Sequence, residues 1–386
     1  MKNFDFHNPT RLIFGKDTIT QLGKQIKNYG DKKVLLHYGK GSIFKNGVYD
    51  AVVASLKENG IEYVEMGGVK PNPVLSKVVE TVDLMRKENV EAIVALGGGS
   101  VYDSAKLCAA AFHYDGNPWD IVAGKARVKK ALPIYGVLTI SATGSEMNSN
   151  SVIMDEEEKK KWGWAAKAVY PRLSIVDPSV QNSLPRNQTV NGACDTLSHV
   201  FEAYFGGTRK TRLQDELSEG IMRTAIDSVR ILLEDPMDYD ARAELAWSST
   251  MALNGLNGLG RAGDWASHGI EHSLSAYYDI AHGEGLAIVF PAWMTYVYKE
   301  DTDKFAQFGE KVFGITEGTP DEKALAAIEA LKRFFQEIGA PVSLKERSIT
   351  SERLEEMAAN AVLQGPLGSL KKLEKSDVLE ILKLAL

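Results

Sequence analysis

The chain has 386 residues, 44% hydrophobic and 25% charged, and carries a formal net charge of −6. That length favours two units with separate cores, and the acidic balance argues against a nucleic acid partner, which needs a basic face. No apolar run of roughly eighteen residues is present to span a membrane, and the opening MKNFDFHNPTRLIFG lacks the apolar core and cleavage site of a secretory leader. Cys108 and Cys194 fall in predicted helices with no framework of spaced cysteines, so two buried thiols in a reducing cytoplasm are expected.

The first half alternates short β-rich runs with helical stretches. KKVLLHY (32–38) leads through GKGS to the helical VYDAVVASLKENG, and IEYVEM (61–66) leads through GGVKPNP to a helix from about Leu75 to Asn89. EAIVAL (91–96) runs into GGGS and VYDSAKLCAAAF; IYGVLTI (134–140) and LSIVDP (173–178) are further strand candidates. Strand, glycine turn, helix and strand at this spacing predict βαβ units and a Rossmann-like parallel sheet covered by helices. Between the last two runs, Glu156–Glu158 followed by Lys159–Lys161 reads as a solvated turn. After Pro185 the character changes to long amphipathic stretches such as LQDELSEGIMRTAIDSVRILLED and DEKALAAIEALKRFFQEIG, whose apolar residues recur at three and four. The expected partition is an α/β domain at 1–186 and an all-helical domain at 187–386, with the active site in a cleft between them.

EAIVALGGGSVYDSAK carries the first chemical signal. A buried strand ends at Leu96, three glycines free the backbone of β-carbons, and Ser100 with Asp103 has the spacing of a capping box. Such a turn aims backbone N–H groups and a positive helix end at an anion, ideally a pyrophosphate. The bland alternative is a tight turn that binds nothing. In HYGKGS (37–42) small residues again follow a strand, at Gly39, Gly41 and Ser42. Nucleotide-binding α/β domains often place an acid here for the ribose 2′-hydroxyl. This chain has none: Gly39 leaves space, and Lys40 and Ser42 suit a 2′-phosphate, which favours NADP(H) over NAD(H).

NGACDTLSHVFEAYF puts Asp195 and His199 four apart, on one face of a predicted helix. Charged and polar groups facing inward from an apolar helix are costly unless paired or bound to a cation. WASHGIEHSLSAYYDIAHGEG holds three of the seven histidines, His268 and His272 at the same spacing and His282 in a loop-like segment. One carboxylate with several imidazoles suits iron or zinc. Spacing leaves the set open: His268 and His272 as ligands with His282 as a base satisfies it equally.

Over essentially its whole length the sequence resembles the iron-containing (group III) alcohol dehydrogenases, and within them the NAD(P)H-dependent butanol dehydrogenases. The resemblance is carried by GGGSVYDSAK, TISATGSEMN, SIVDP, CDTLSHVFEAYF, HGIEHSLSA and AHGEGLAIVFPAWM, with YGKGSIFKNGVYD and GVKPNP pointing to the subgroup. It implies a dehydroquinate synthase-like fold, an α/β dinucleotide domain followed by an all-helical metal-binding domain. It further implies metal ligands at Asp195, His199, His268 and His282, with iron(II) the first expectation and zinc(II) the second. His272 matches a histidine that lines the site without binding metal. Cofactor positions fall on Gly39, Ser42, Asn72, Gly98, Gly99, Ser100, Asp103, Thr139, Ser141, Thr143, Val152 and Lys161. Gly39 stands where NAD-preferring relatives tend to carry Asp, again favouring NADP(H). A homodimer is also implied.

These parts make a hydride-transfer site for short-chain primary alcohols and aldehydes, with His272 as the expected proton relay. Trp265, Leu274 and Tyr278 near the ligands suggest a small, unphosphorylated substrate. The competing reading is a lyase of the metal- and NAD-using 3-dehydroquinate synthase type. Its phosphorylated, carboxylated substrate needs several basic groups near the metal, and only Arg261 is on offer. A non-catalytic metal-binding protein leaves both glycine turns unexplained.

Overall fold

The computed structural model describes residues Met1–Leu386, which form two compact units. One comprises His7–Leu184 and Asp235–Thr250, the other Met1–Phe6, Pro185–Glu234 and Met251–Leu386.

The first unit is built on a parallel sheet. Its strands are β1 (Arg11–Phe14), β2 (Lys33–Tyr38), β3 (Glu62–Met66), β4 (Ala92–Gly97), β5 (Ile134–Leu138) and β8 (Leu173–Val176), in the order β1-β8-β5-β4-β2-β3. Every pairing is parallel. The antiparallel hairpin β6 (Asn150–Asp155) and β7 (Lys160–Ala165) stands apart from it. Helices α1 (Leu22–Tyr29), α2 (Ser42–Lys45), α3 (Val48–Glu58), α4 (Leu75–Glu88), α5 (Gly99–Ala111) and α6 (Trp119–Val122) fill the connections. Alternation along the strands serves both faces. Leu35, Ile93 and Ala95 enter one core with α4 and α5, while Val34, Leu36, Ala92 and Val94 enter the other with α1 and α3. Strands covered on both sides must be apolar throughout, which is why β4 is buried from end to end.

The second unit is helical: α7 (Arg186–Tyr204), α8 (Arg212–Glu234), α10 (Ala266–Tyr278), α11 (His282–Val297), α12 (Thr302–Phe313), α13 (Pro320–Ile338), α14 (Leu354–Ala361) and α15 (Lys375–Leu384). Its core includes an aromatic cluster in which Phe205 stacks on Phe305 at 4.5 Å and Phe201 meets Phe290 edge-on at 5.2 Å. Between α8 and α10 lies α9 (Tyr239–Leu253). Residues Asp235–Thr250, most of that helix, belong to the α/β unit, a departure from a single break at residue 186. Ala246 is fully buried in the sheet unit's core, and Thr250 Oγ1 donates to Glu146 Oε1 at 2.6 Å. Helical periodicity shows that a face is buried but not against which core. Met1–Phe6 likewise goes with the helical unit, where Lys2 N donates to Gly260 O at 2.8 Å.

Candidate active site

In the sheet unit, the chain runs outward from β2 to β3 and then returns to β4 on the other side of β2. Strand order thus reverses between β2 and β4, and ligands of open α/β sheets bind at the carboxyl ends beside such a switch. The two turns there are the two singled out in the sequence. Gly39 follows β2 and Gly98–Ser100 follow β4. Val101 and Tyr102 N–H bond back to Gly98 O at 3.0 and 3.2 Å, while Gly99 and Ser100 open the helix with N–H groups that have no intrahelical acceptor. The thirteen-residue α5 adds its positive end to them.

The glycines are required here by close approach, not by backbone conformation. A Cβ on Gly98 would lie 2.1 Å from Ile140 Cγ2, and one on Gly99 2.4 Å from Thr143 Cγ2. The segment after β5 therefore lies directly against the turn, and Thr139 N donates to Gly97 O at 3.0 Å. Ser141 Oγ accepts from Gln181 Nε2 at 2.8 Å. The capping box does not form: α5 is capped by Gly98 with no side-chain bond. Asp103 instead reaches across to the hairpin, its carboxylate accepting from Ser145 Oγ at 2.7 Å and Val152 N at 3.0 Å. Met154 N donates to Pro73 O at 2.9 Å, tying β6 to the segment after Asn72, and Asn72 itself has a positive φ of 54°. Lys161 lies opposite Met154, on the hairpin face that carries Val152. It is buried, so the acidic and basic run is a solvated turn only as far as Lys160. Ser42, at the start of α2, is exposed beside Lys40.

Under this surface Lys106 is fully buried, donating to Ser145 Oγ (2.6 Å), Asn148 Oδ1 (3.1 Å) and Asn150 O (2.7 Å). Burial lowers its ammonium to about 8, against the pull of Asp103 and Glu146.

In the helical unit, α7 supplies Asp195 and His199, α10 supplies His268 and His272, and His282 is the first residue of α11, not a loop residue. Asp195, His268 and His282 offer donor atoms all within 4.8 Å of one another. Asp195 Oδ1 lies 3.6 Å from both His199 Nδ1 and His282 Nε2, and the His199 ring stacks on that of His268 at 4.9 Å. These separations exceed a hydrogen bond. Two ligands about 2.1 Å from one tetrahedral ion stand about 3.4 Å apart, close to the spacing seen. One carboxylate with imidazoles is the donor chemistry of iron or zinc, not of magnesium or calcium. The residues fit a divalent transition ion.

Two groups here escaped the sequence reading. Glu202, on α7, accepts from His268 Nδ1 at 2.6 Å, and Glu271, on α10, accepts from His282 Nδ1. Burial pushes the Glu202 carboxyl up to about 8, the N–H groups of Trp265 and His268 offsetting part of the rise. A divalent cation bound by His268 would oppose that rise. Their signal was present: Glu202 lies three after His199 and Glu271 three after His268, positions on the same helix faces. The glycines of AHGEG also find reasons. A Cβ on Gly283 would meet Asn191 O of α7 at 2.2 Å, and one on Gly285 would meet Glu271 Cγ at 2.7 Å.

The His272 ring centroid lies 5.6 Å from that of His282 and 6.4 Å from that of His268. Trp265 stands beside the cluster, 5.2 Å from His268 and 6.3 Å from His199, whereas Leu274 is a fully buried core residue. Arg261 is spent on structure: it donates to Asp215 Oδ1 at 2.6 Å and to Thr211 O at 3.2 Å.

Residues 9–178 match the model of the iron-containing alcohol dehydrogenases, and residues 189–386 that of the C-terminal part of the same family. The chain belongs to the iron-containing alcohol dehydrogenase family. It is therefore an oxidoreductase, an alcohol dehydrogenase or aldehyde reductase that works with a divalent metal and a nicotinamide cofactor. The NADH-dependent butanol dehydrogenase A of Clostridium acetobutylicum is 44% identical over 99% of both chains. The NADPH-dependent aldehyde reductase YqhD of Escherichia coli is 41% identical over 90% of this chain and 89% of its own. Among solved structures, the NADH-dependent butanol dehydrogenase A of Thermotoga maritima superposes with a TM-score of 0.98, at 54% identity, covering 100% of this chain and 99% of its own. The family sets the lyase reading aside. No helix is long and apolar enough to cross a membrane.

Proposed function

We propose that this chain interconverts short-chain primary alcohols and aldehydes of the butanol–butanal type, preferring NADP(H) to NAD(H), as a homodimer in the cytoplasm. Asp195, His199, His268 and His282 hold one divalent ion, iron(II) in the first place and zinc(II) in the second. The observation that carries the reading is the convergence of Asp195, His268 and His282 donor atoms within 4.8 Å, with His199 against them. When bound, the ion supplies Lewis-acid polarisation of a carbonyl oxygen and the nicotinamide supplies the hydride.

The chain's own residues do the rest. The α5 N-terminus and the glycine turn bind the pyrophosphate; Asp103, tied to Ser145 and Val152, keeps the hairpin with Val152 and Lys161 in place. Gly39 leaves the ribose 2′ position clear, and Lys40 and Ser42 take a 2′-phosphate. Relatives named for NADH and for NADPH stand at similar identities, so Gly39 carries the cofactor preference here. His272, beside His282 but outside the ligand set, passes a proton to the product oxygen. Trp265, beside His199 and His268, gives the site an apolar wall that suits a small substrate.

The test is anaerobic loading with Fe²⁺ or Zn²⁺, with NADPH absorbance followed against a panel of straight-chain aldehydes. Turnover that falls on chelation and returns with metal is expected, at higher kcat/KM with NADPH than with NADH. Metal-loaded, cofactor-binding protein that reduces no short-chain aldehyde refutes the substrate assignment.

A further inference from the structure

Two of the histidines proposed as ligands are held in the same way by carboxylates from different helices. His268 Nδ1 lies 2.6 Å from Glu202 Oε1, and His282 Nδ1 bonds Glu271 Oε2. Both glutamates are buried, Glu202 at 1% and Glu271 at 0% exposure. A buried carboxylate beside an imidazole keeps the proton on the near nitrogen and leaves the lone pair on the far one. For His282 the far nitrogen, Nε2, is the atom that approaches Asp195.

Each carboxylate is itself anchored. Glu202 also accepts from the N–H groups of Trp265 and His268. It thereby caps α10 from another helix, since the cap residue Trp265 has no side-chain bond of its own and sits in the left-handed region at φ 63°. A bulky residue there is strained, and the Glu202 bond holds it. Glu271 is fixed by Ser275 Oγ and occupies space that Gly285 leaves open, as a Cβ on Gly285 would fall 2.8 Å from Glu271 Oε1.

We propose that Glu202 and Glu271 are positioning residues of the metal centre, and that Gly285 is the third part of the device. They set the tautomer and orientation of His268 and His282 and thereby the affinity for the ion, without touching ion or substrate. The proposal rests on the ligand set given above.

The experiment measures Co²⁺ affinity of the full chain by chelator competition, together with the visible absorption of the Co²⁺ form and NADPH binding by fluorescence. Glu202→Ala and Glu271→Ala should each weaken Co²⁺ binding about 10–100-fold, the range for losing a partner behind a ligand histidine. Glu202→Gln and Glu271→Gln keep an acceptor and should recover part of that loss. Gly285→Ala, which removes no ligand and neither carboxylate but crowds Glu271, should weaken binding in the same direction and shift the Co²⁺ spectrum. NADPH affinity should stay within twofold throughout, which reports an intact sheet unit should Glu202→Ala disturb α10. Asp195→Ala and His268→Ala serve as references. If they lose Co²⁺ while the glutamate and Gly285 variants bind within twofold of the parent, the positioning role is overturned alone. If all variants bind alike, the ligand set falls and the proposal falls with it.

Discussion

The glycine turns of the sheet unit and the histidine cluster of the helical unit are built on opposite logic. At Gly98–Ser100 the proposed working parts are backbone N–H groups and a helix end, and side chains matter by being absent: a single methyl on Gly98 or Gly99 would collide with Ile140 or Thr143. At Asp195, His199, His268 and His282 the proposed working parts are side chains, and the first three are buried at a cost that a partner must offset. The first region fails by having too much added. The second fails by having one group removed.

The largest effect expected is at the cluster. Replacing Asp195, His199, His268 or His282 with Ala should lower metal affinity by a factor of about 100 or more, since each removes one of the few proposed ligands and leaves its neighbours uncompensated. Metal per chain after dialysis, by elemental analysis, checks this. His272→Ala should retain its metal and its NADPH affinity and lose turnover. Loss of metal equal to that of the ligand variants would place His272 inside the set.

At the turn, Gly99→Ala tests the opposite logic. Its Cβ would stand 2.4 Å from Thr143 Cγ2 and 2.5 Å from Thr143 Oγ1, and overpacking of this kind costs about 1–3 kcal/mol. A lower Tm and weaker NADPH binding with unchanged metal content are expected. Gly41→Ala, with no atom within 4 Å of the added carbon, should leave stability unaltered. Equal effects at the two glycines would remove close approach as the reason for the motif.

A comparison within the sheet unit sharpens cofactor choice. A Cβ on Gly39 meets nothing closer than Val69 O at 3.5 Å, so Gly39→Asp adds a charge without a clash. A like charge about 4 Å from a 2′-phosphate costs about 1–4 kcal/mol between the aqueous and protein-surface limits. The ratio of kcat/KM for NADPH over NADH should fall by about tenfold or more, and a ratio unmoved by Gly39→Asp would place the discrimination elsewhere.

The same contrast explains what was legible in the sequence. The five strand runs of the first half and the D-x-x-x-H helix were readable because their period and their glycines are local properties. β1 was missed because only four residues form it, at the sheet's edge and half exposed. The β6–β7 hairpin is hidden because the acidic and basic run forms its turn and the start of β7, and what holds it is Asp103 and Pro73, both distant in sequence. The spacing of Asp103 from Ser100 predicts a cap, yet a buried carboxylate goes to whichever donors the tertiary fold presents. Glu202 and Glu271 are harder to read because charged residues on helices are mostly solvated: their spacing from His199 and His268 gives the face, and burial shows that the face is enclosed.

The smallest effect expected concerns a histidine that resembles the cluster only in type. His37, in β2, is fully buried with Nδ1 3.1 Å from Met66 O and Nε2 2.9 Å from Ser104 Oγ. A neutral ring that donates to the carbonyl and accepts from the hydroxyl satisfies both. Burial is the main cause that lowers its pKa from 6.5 to about 4, against the pull of the Met66 carbonyl and with a small further push from Lys77. Because the folded value lies below the unfolded one, the unfolded chain binds the extra proton first as pH falls. Stability from His37 is therefore present above about 6.5 and lost progressively between about 6.5 and 4. From pH 7 to pH 5.5 the loss amounts to about 1 kcal/mol. Urea unfolding of the sheet unit, followed at the two pH values in the parent and in His37→Gln, separates the His37 contribution from other titrations. The parent should lose about 1 kcal/mol more than the variant on acidification. An equal loss in both would show that His37 is protonated inside the fold.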